Sequence, residues 1–130
     1  MIKRFQIRNE RGQTMTEFAI VLPILALLLF GVIQFGITFN NYITLTDAVR
    51  AGARKGAVGR HLNNPEAAVT TSVRNAATDL KSSDLQITVN STWAQASDVT
   101  VTATYPYSIN LLGVVVKKGR LSSSTTERVE

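Results

Sequence analysis

The sequence predicts an α+β protein: a long N-terminal transmembrane and stalk helix, a second amphipathic helix, and a small antiparallel three-stranded sheet. Three observations carry this. An uncharged apolar run extends from Phe18 to Phe39, a helical period outlasts that run, and the period changes to two after Leu85. With 130 residues the chain supports one small domain beside an anchoring segment, not two independent cores. The absence of cysteine excludes a disulfide scaffold, a thiolate metal site and thiol catalysis, and a single histidine, His61, leaves little for metal chemistry. Lys3, Arg4, Arg8 and Arg11 against Glu10 put +3 of the net +5 into residues 1–12. The rest of the chain therefore lacks a basic face for phosphate to follow, and nucleic acid is not an expected partner.

The run FAIVLPILALLLFGVIQFGITF has Gln34 and Thr38 as its polar side chains. As a helix it covers roughly 33 Å, slightly more than a hydrocarbon core of about 30 Å. So small a chain could not surround a helix that is apolar on every face, which argues against a buried core helix. Basic residues precede the run, so the positive-inside tendency puts residues 1–12 in the cytoplasm and everything after about Asn40 on the far side. Pro23, with Gly31 and Gly36, suggests a helix that bends or locally melts when packed among others; equally, Pro and Gly are simply common in membrane helices.

A secretory signal would have a shorter apolar core followed by small residues at a cleavage site. Here the order is reversed. The basic peptide ends at Arg11-Gly12, then comes Gln13-Thr14-Met15-Thr16-Glu17-Phe18, and the apolar run starts directly after the acid. A carboxylate drawn into a membrane costs up to about 3 kcal/mol, so Glu17 requires an explanation. Favouring the positive end of the helix would supply roughly 0.3–1 kcal/mol.

A basic leader ending in Gly, four residues, then Glu-Phe and a hydrophobic helix resembles the type III signal of type IV prepilins. The longer string RGQTMTEFAIVLPILALLLFGVIQFGITFNNYITLTDAVRAGARKGAV is similar to the TadE-like family of the Tad (tight adherence) pilus machinery. The matching elements are Gly12, Glu17-Phe18, Pro23, Gln34-Phe35-Gly36 and Ala51-Gly52-Ala53-Arg54. Two positions depart from the pattern: Gln34 stands where the step usually reads Glu, and Gln13 would be the first mature residue. The resemblance implies a pilin-like fold and cleavage by a prepilin peptidase between Gly12 and Gln13. It further implies that Glu17 meets the N-terminal amine of an adjacent subunit, a pairing that would neutralise the charge buried among packed helices. Glu17, Phe18 and Pro23 are thus the assembly residues.

Beyond the membrane, Tyr42, Leu45, Val49, Ala53 and Gly56 continue one narrow helical face. Ala48, Gly52 and Gly56 form a small-residue row that admits another helix, within the chain in first place and between subunits in second. Arg50, Arg54, Lys55 and Arg60, with Asp47, read first as a solvated face, and second as a contact for lipid headgroups or an acidic partner. Asn64-Pro65-Glu66 marks a helix start, with Asn64 as N-cap and Pro65 at the first helical position. Val69, Val73, Ala76 or Ala77, and Leu80 give a second helix of about four turns, ending near Lys81 and Ser82-Ser83. Leu85, Ile87 and Val89 alternate with Gln86, Thr88 and Asn90, and Val99, Val101, Ala103 and Tyr105 alternate with threonines: an antiparallel pair with one wet face. Pro106 is expected to stop the second strand. Leu111 to Val116 is either a buried crossover or an exposed contact patch, and Leu121 to about Arg128 returns as a third strand at the edge. Trp93, in the turn between strands, reads as a lid over the core ahead of an interface anchor.

No phosphate loop, GxSxG, HExxH or paired carboxylates near His61 occur in the sequence. No catalytic residue, metal or cofactor is therefore expected. The organisation expected is a basic leader at 1–12, a transmembrane and stalk helix at 13–60, and an extracytoplasmic α+β domain at 61–130. The function expected is that of a minor pilin or pseudopilin of a bacterial Tad pilus, held in the inner membrane and then assembled through its N-terminal helix to initiate, cap or join the fibre. Its implied partners are the prepilin peptidase, other pilins and pseudopilins of the system, the inner-membrane assembly platform and the lipid bilayer. The alternatives are the main filament subunit and an uncleaved single-pass binding module, with a membrane enzyme as a remote third.

Overall fold

A computed structural model describes residues 10–130, with side chains from Gly12 onward; Lys3, Arg4 and Arg8 of the leader lie outside the described residues. The first element, α1, is a single helix from Glu10 to Ala57. Its first part is bare, and none of its most apolar stretch is buried by the other described residues. The helix runs through Pro23 without a break. Its last part turns amphipathic, with Leu45, Ala48, Val49 and Ala53 fully buried, because from this point a sheet is available to cover one face.

A 3₁₀ turn, Gly59–His61, leads to α2 at Pro65–Ala76. The Asn64 side chain caps α2 by accepting from the Ala67 N–H at 3.0 Å, with Pro65 in the first turn and Glu66 at the positive end. This helix is about one turn shorter than its apolar spacing suggests. Thr78 and Asp79 are poor helix formers, and Leu80 reaches the core from a turn closed by its N–H on the Ala77 carbonyl. Arg74 fastens that turn by donating to the Ser82 carbonyl at 2.9 Å. Ala77 is buried and Ala76 is exposed, which resolves that pair.

The three strands are β1 (Gln86–Ser91), β2 (Asp98–Leu111) and β3 (Val114–Arg128), ordered β1-β2-β3 and antiparallel throughout. Val99, Val101, Ala103 and Tyr105 point to the core, and on the opposite face Thr100 pairs with Thr126 and Thr102 with Ser124 through hydroxyl bonds of 2.8 and 2.9 Å. Contrary to expectation, Pro106 does not end β2. Pairing with β1 stops at Gln86–Thr104, so beyond that point β2 has an open side where a missing N–H costs no ladder bond. β2 and β3 continue together as a long hairpin whose two-residue turn is Leu112-Gly113, with φ of 51° and 87°. The segment from Leu111 to Val116 is thus an exposed hairpin tip and not a buried crossover. Val116 has no partner in the register, a bulge that shifts the pairing beside Ile109 and Asn110.

The core joins α1, α2 and the inner sheet face around Leu45, Val49, Val69, Val73, Val99, Val101 and Val129. Beyond β3, Val129 is held by its N–H on the Ser97 carbonyl and by the Ala96 N–H on its own carbonyl, both 2.8 Å, and the Glu130 N–H meets the Ala57 carbonyl at the end of α1. Trp93 packs against this core, as a lid would.

Candidate functional site

Two regions bear on function: the bare N-terminal part of α1 and the row of small residues where α1 meets the domain. In the first, Glu17 is the sole charged residue between Gly12 and Thr46. The helix places Gln13 one turn before it, and the Gln13 side-chain amide donates to Glu17 Oε1 at 3.0 Å. One turn is the spacing at which helical side chains meet. The carboxylate thus has a neutral partner from its own chain and remains exposed, open to a cation from elsewhere. This bond was not anticipated from the sequence, although the Gln-x-x-x-Glu spacing is its signal. Thr16 donates to the Gly12 carbonyl at 2.9 Å, so the Gly12–Gln13 peptide lies within helical structure.

Phe18 is exposed beside Glu17, as are the large apolar side chains that follow it, from Ile20 through Phe39. At Gly31 and Gly36 an added Cβ would meet nothing within 4 Å. Thr38 donates to the Gln34 carbonyl at 3.0 Å, and Phe35 stacks on Phe39 with centroids 6.1 Å apart. So much contiguous exposed apolar surface calls for cover, which lipid or a bundle of like helices supplies directly.

The second region is occupied from within the chain. Ala48 is fully buried; a Cβ at Gly52 would collide with Val73 Cγ2, and one at Gly56 would come within 2.9 Å of Val99 Cγ2. The small residues therefore let α2 and β2 approach α1, with Ser72 donating to the Ala51 carbonyl across the helix pair. Arg50 faces Asp47 at 3.7 Å on the exposed side, a weak surface pair.

No group of three or more potential metal ligands occurs among the described residues. An open depression of about 640 Å³ lies beside Tyr105, Tyr107 and Arg120. Arg120 is spent there on Thr104 Oγ1 at 3.1 Å, and Tyr105 accepts from the Lys81 N–H.

Comparison with known proteins agrees with the N-terminal resemblance. Residues 12–54 match the family model of TadE-like protein. The match covers the bare part of α1 together with Ala48 and Gly52 of the small-residue row, and stops before Gly56 and α2. No curated protein and no solved structure matches the chain.

Proposed function

From a helix that is TadE-like over residues 12–54, we propose that this is a minor pilin or pseudopilin of a bacterial Tad pilus. It would sit in the inner membrane through Phe18–Phe39, with residues 1–12 inside and the α+β domain outside. A prepilin peptidase would cut between Gly12 and Gln13, and the trimmed helix would pass from lipid into a stack of like helices to initiate, cap or join the fibre. The assembly platform of the inner membrane would drive that transfer.

The observation that carries this reading is the pairing of one exposed carboxylate, Glu17, with a helical stretch, Phe18–Phe39, that has no charge and that nothing among the described residues covers. Inside a helical stack an unpaired carboxylate is strongly unfavourable, so it selects the register in which a cation reaches it. Cleavage after Gly12 creates such a cation at Gln13, one helical turn away from Glu17 in its own chain and free to meet the Glu17 of a neighbour. Gln13 Nε2 already holds Oε1, which keeps the carboxylate oriented until the stronger ionic partner arrives.

The test is Glu17→Ala in cells that carry the assembly machinery. The expected outcome is a chain trimmed at Gln13 and retained in the membrane, but lost from material sheared from the cell surface. Recovery of the variant from sheared material at the wild-type level would refute the role of Glu17 in assembly.

A further inference from the structure

We propose that the β2–β3 hairpin tip is a second membrane contact: its apolar end enters the headgroup boundary of the bilayer that α1 crosses, and Lys117 and Lys118 meet anionic headgroups. The proposal rests on the reading of Phe18–Phe39 as a membrane span.

The direction of the hairpin follows from the packing of α1. Gly56 lies against Val99 and Gly52 against Val101, so β2 advances toward Leu111 as α1 is followed backward toward the apolar run. From Val99 to Leu112 is 13 residues of strand, about 43 Å at roughly 3.3 Å per residue. From Gly56 back to Phe39 is 17 residues of helix, about 26 Å at roughly 1.5 Å per residue. An inclination between strand and helix of up to about 50° therefore still brings the tip level with Phe39. The outer domain cannot stand clear of a bilayer that begins there.

The composition of the tip fits that position. Leu112, Val114, Val115 and Val116 are 64%, 67%, 55% and 61% exposed, an aliphatic end on an edge of the fold with no cover from the other described residues. Inward of the tip the exposed residues are polar or basic on both strands, Asn110 and Ser108 on β2 to either side of the half-buried Ile109, and Lys117 and Lys118 on β3. Two lysines behind a greasy tip match an anionic lipid surface, to which each is attracted near the headgroups. An exposed, paired hairpin end brings few unsatisfied backbone groups with it, since Leu111–Val114 is still in register. Tyr107, half-buried over Gly119, stands at the level where amphipathic rings favour the membrane–water boundary.

The chain has no cysteine, so single labels are unambiguous. Val115→Cys, Phe30→Cys and Asn90→Cys would each be labelled with an environment-sensitive fluorophore in the full chain. Each is then reconstituted into phosphatidylcholine vesicles with or without phosphatidylglycerol, some carrying spin-labelled lipid. Expected is a blue-shifted emission at Val115 that shallow lipid quenchers reduce and aqueous iodide does not, with a larger shift in phosphatidylglycerol that is lost in Lys117→Gln/Lys118→Gln. Phe30 should respond to deep quenchers and Asn90, at the far end of the sheet, to iodide. A wet Val115 beside a lipid-quenched Phe30 would overturn the hairpin contact and leave the membrane span standing. A wet Phe30 would overturn the span itself. A Val115 shielded from both quenchers and cross-linked to Val115 of a second copy would assign the tip to self-association and overturn the lipid contact.

Discussion

A single methyl group added at residue 52 should loosen the outer domain. Gly52 lies where α2 crosses α1, and a Cβ there would fall well inside the contact distance of Val73 Cγ2 while touching Val69 and Val101 at 3.5 Å. Carbon atoms rest at about 3.5–4.0 Å, so the helices must separate by about 1 Å or Val73 must leave its rotamer. Val73 is fully buried and β-branched, with one strongly preferred rotamer in a helix, so it has nowhere to turn. Overpacking of this kind costs about 1–3 kcal/mol, and the closeness of the contact puts it in the upper half of that range. Alanine regains about 1 kcal/mol of helix propensity over glycine. Net destabilisation of about 1–2 kcal/mol is expected for Gly52→Ala. Denaturant unfolding of the full chain in micelles, followed through Trp93 as the single tryptophan, reads this directly. Gly36→Ala, where nothing lies within 4 Å, should leave the midpoint unchanged, because residue 36 stays helical in the micelle when the outer domain unfolds and its propensity gain is then common to both states. In the Gly52→Ala background, Val73→Ala should cost less than it does alone, since it removes the colliding methyl. A Gly52→Ala midpoint equal to or above that of the wild type would refute the close crossing of α1 and α2.

Further predictions concern other parts of the domain. Asn64→Ala should lower stability by about 1 kcal/mol in the same assay and Asn64→Asp should not, because either Asn or Asp can accept from the Ala67 N–H. Gly113→Val should cost about 1–2 kcal/mol in hairpin closure, since residue 113 sits at φ 87°. Amide exchange should accelerate at Leu111 and Val114 in that variant while the core strand around Val101 stays protected. Tyr105→Phe should cost about 0.5–1.5 kcal/mol by leaving the Lys81 N–H without its hydroxyl partner. Faster exchange of the Lys81 amide would accompany the loss.

The parts of the fold that were legible in the sequence are those fixed by local pattern. A charge-free run, a small-residue row and an Asn-Pro-Glu start each specify their element over a few residues, and α1, the α1 contact face and the α2 cap follow them. The parts that were not legible depend on where a neighbour stops. Pro106 looks like a strand end until β1 is seen to end first, at Gln86 opposite Thr104. The turn Leu112-Gly113 lacks the Asn-Gly or Asp-Gly signature of its type, because the long register on both arms positions a leucine at φ 51°. The last apolar turn expected of α2 is replaced by a loop, since burying Leu80 needs only a correct direction and not a helix. At the candidate site, the position of Glu17 was readable from its isolation in the sequence. Its bond from Gln13 was not, because a polar pair at the mouth of an apolar run is one of several arrangements until the helix is shown to start before it.

The central claim is that the chain is trimmed next to Gln13 so that a charge-free helix with one acid can join others of its kind. Intact-mass measurement of the protein purified from membranes of cells that contain the peptidase tests it most directly. The account predicts a species that begins at Gln13. A mature protein that still begins at Met1 in those cells would contradict it.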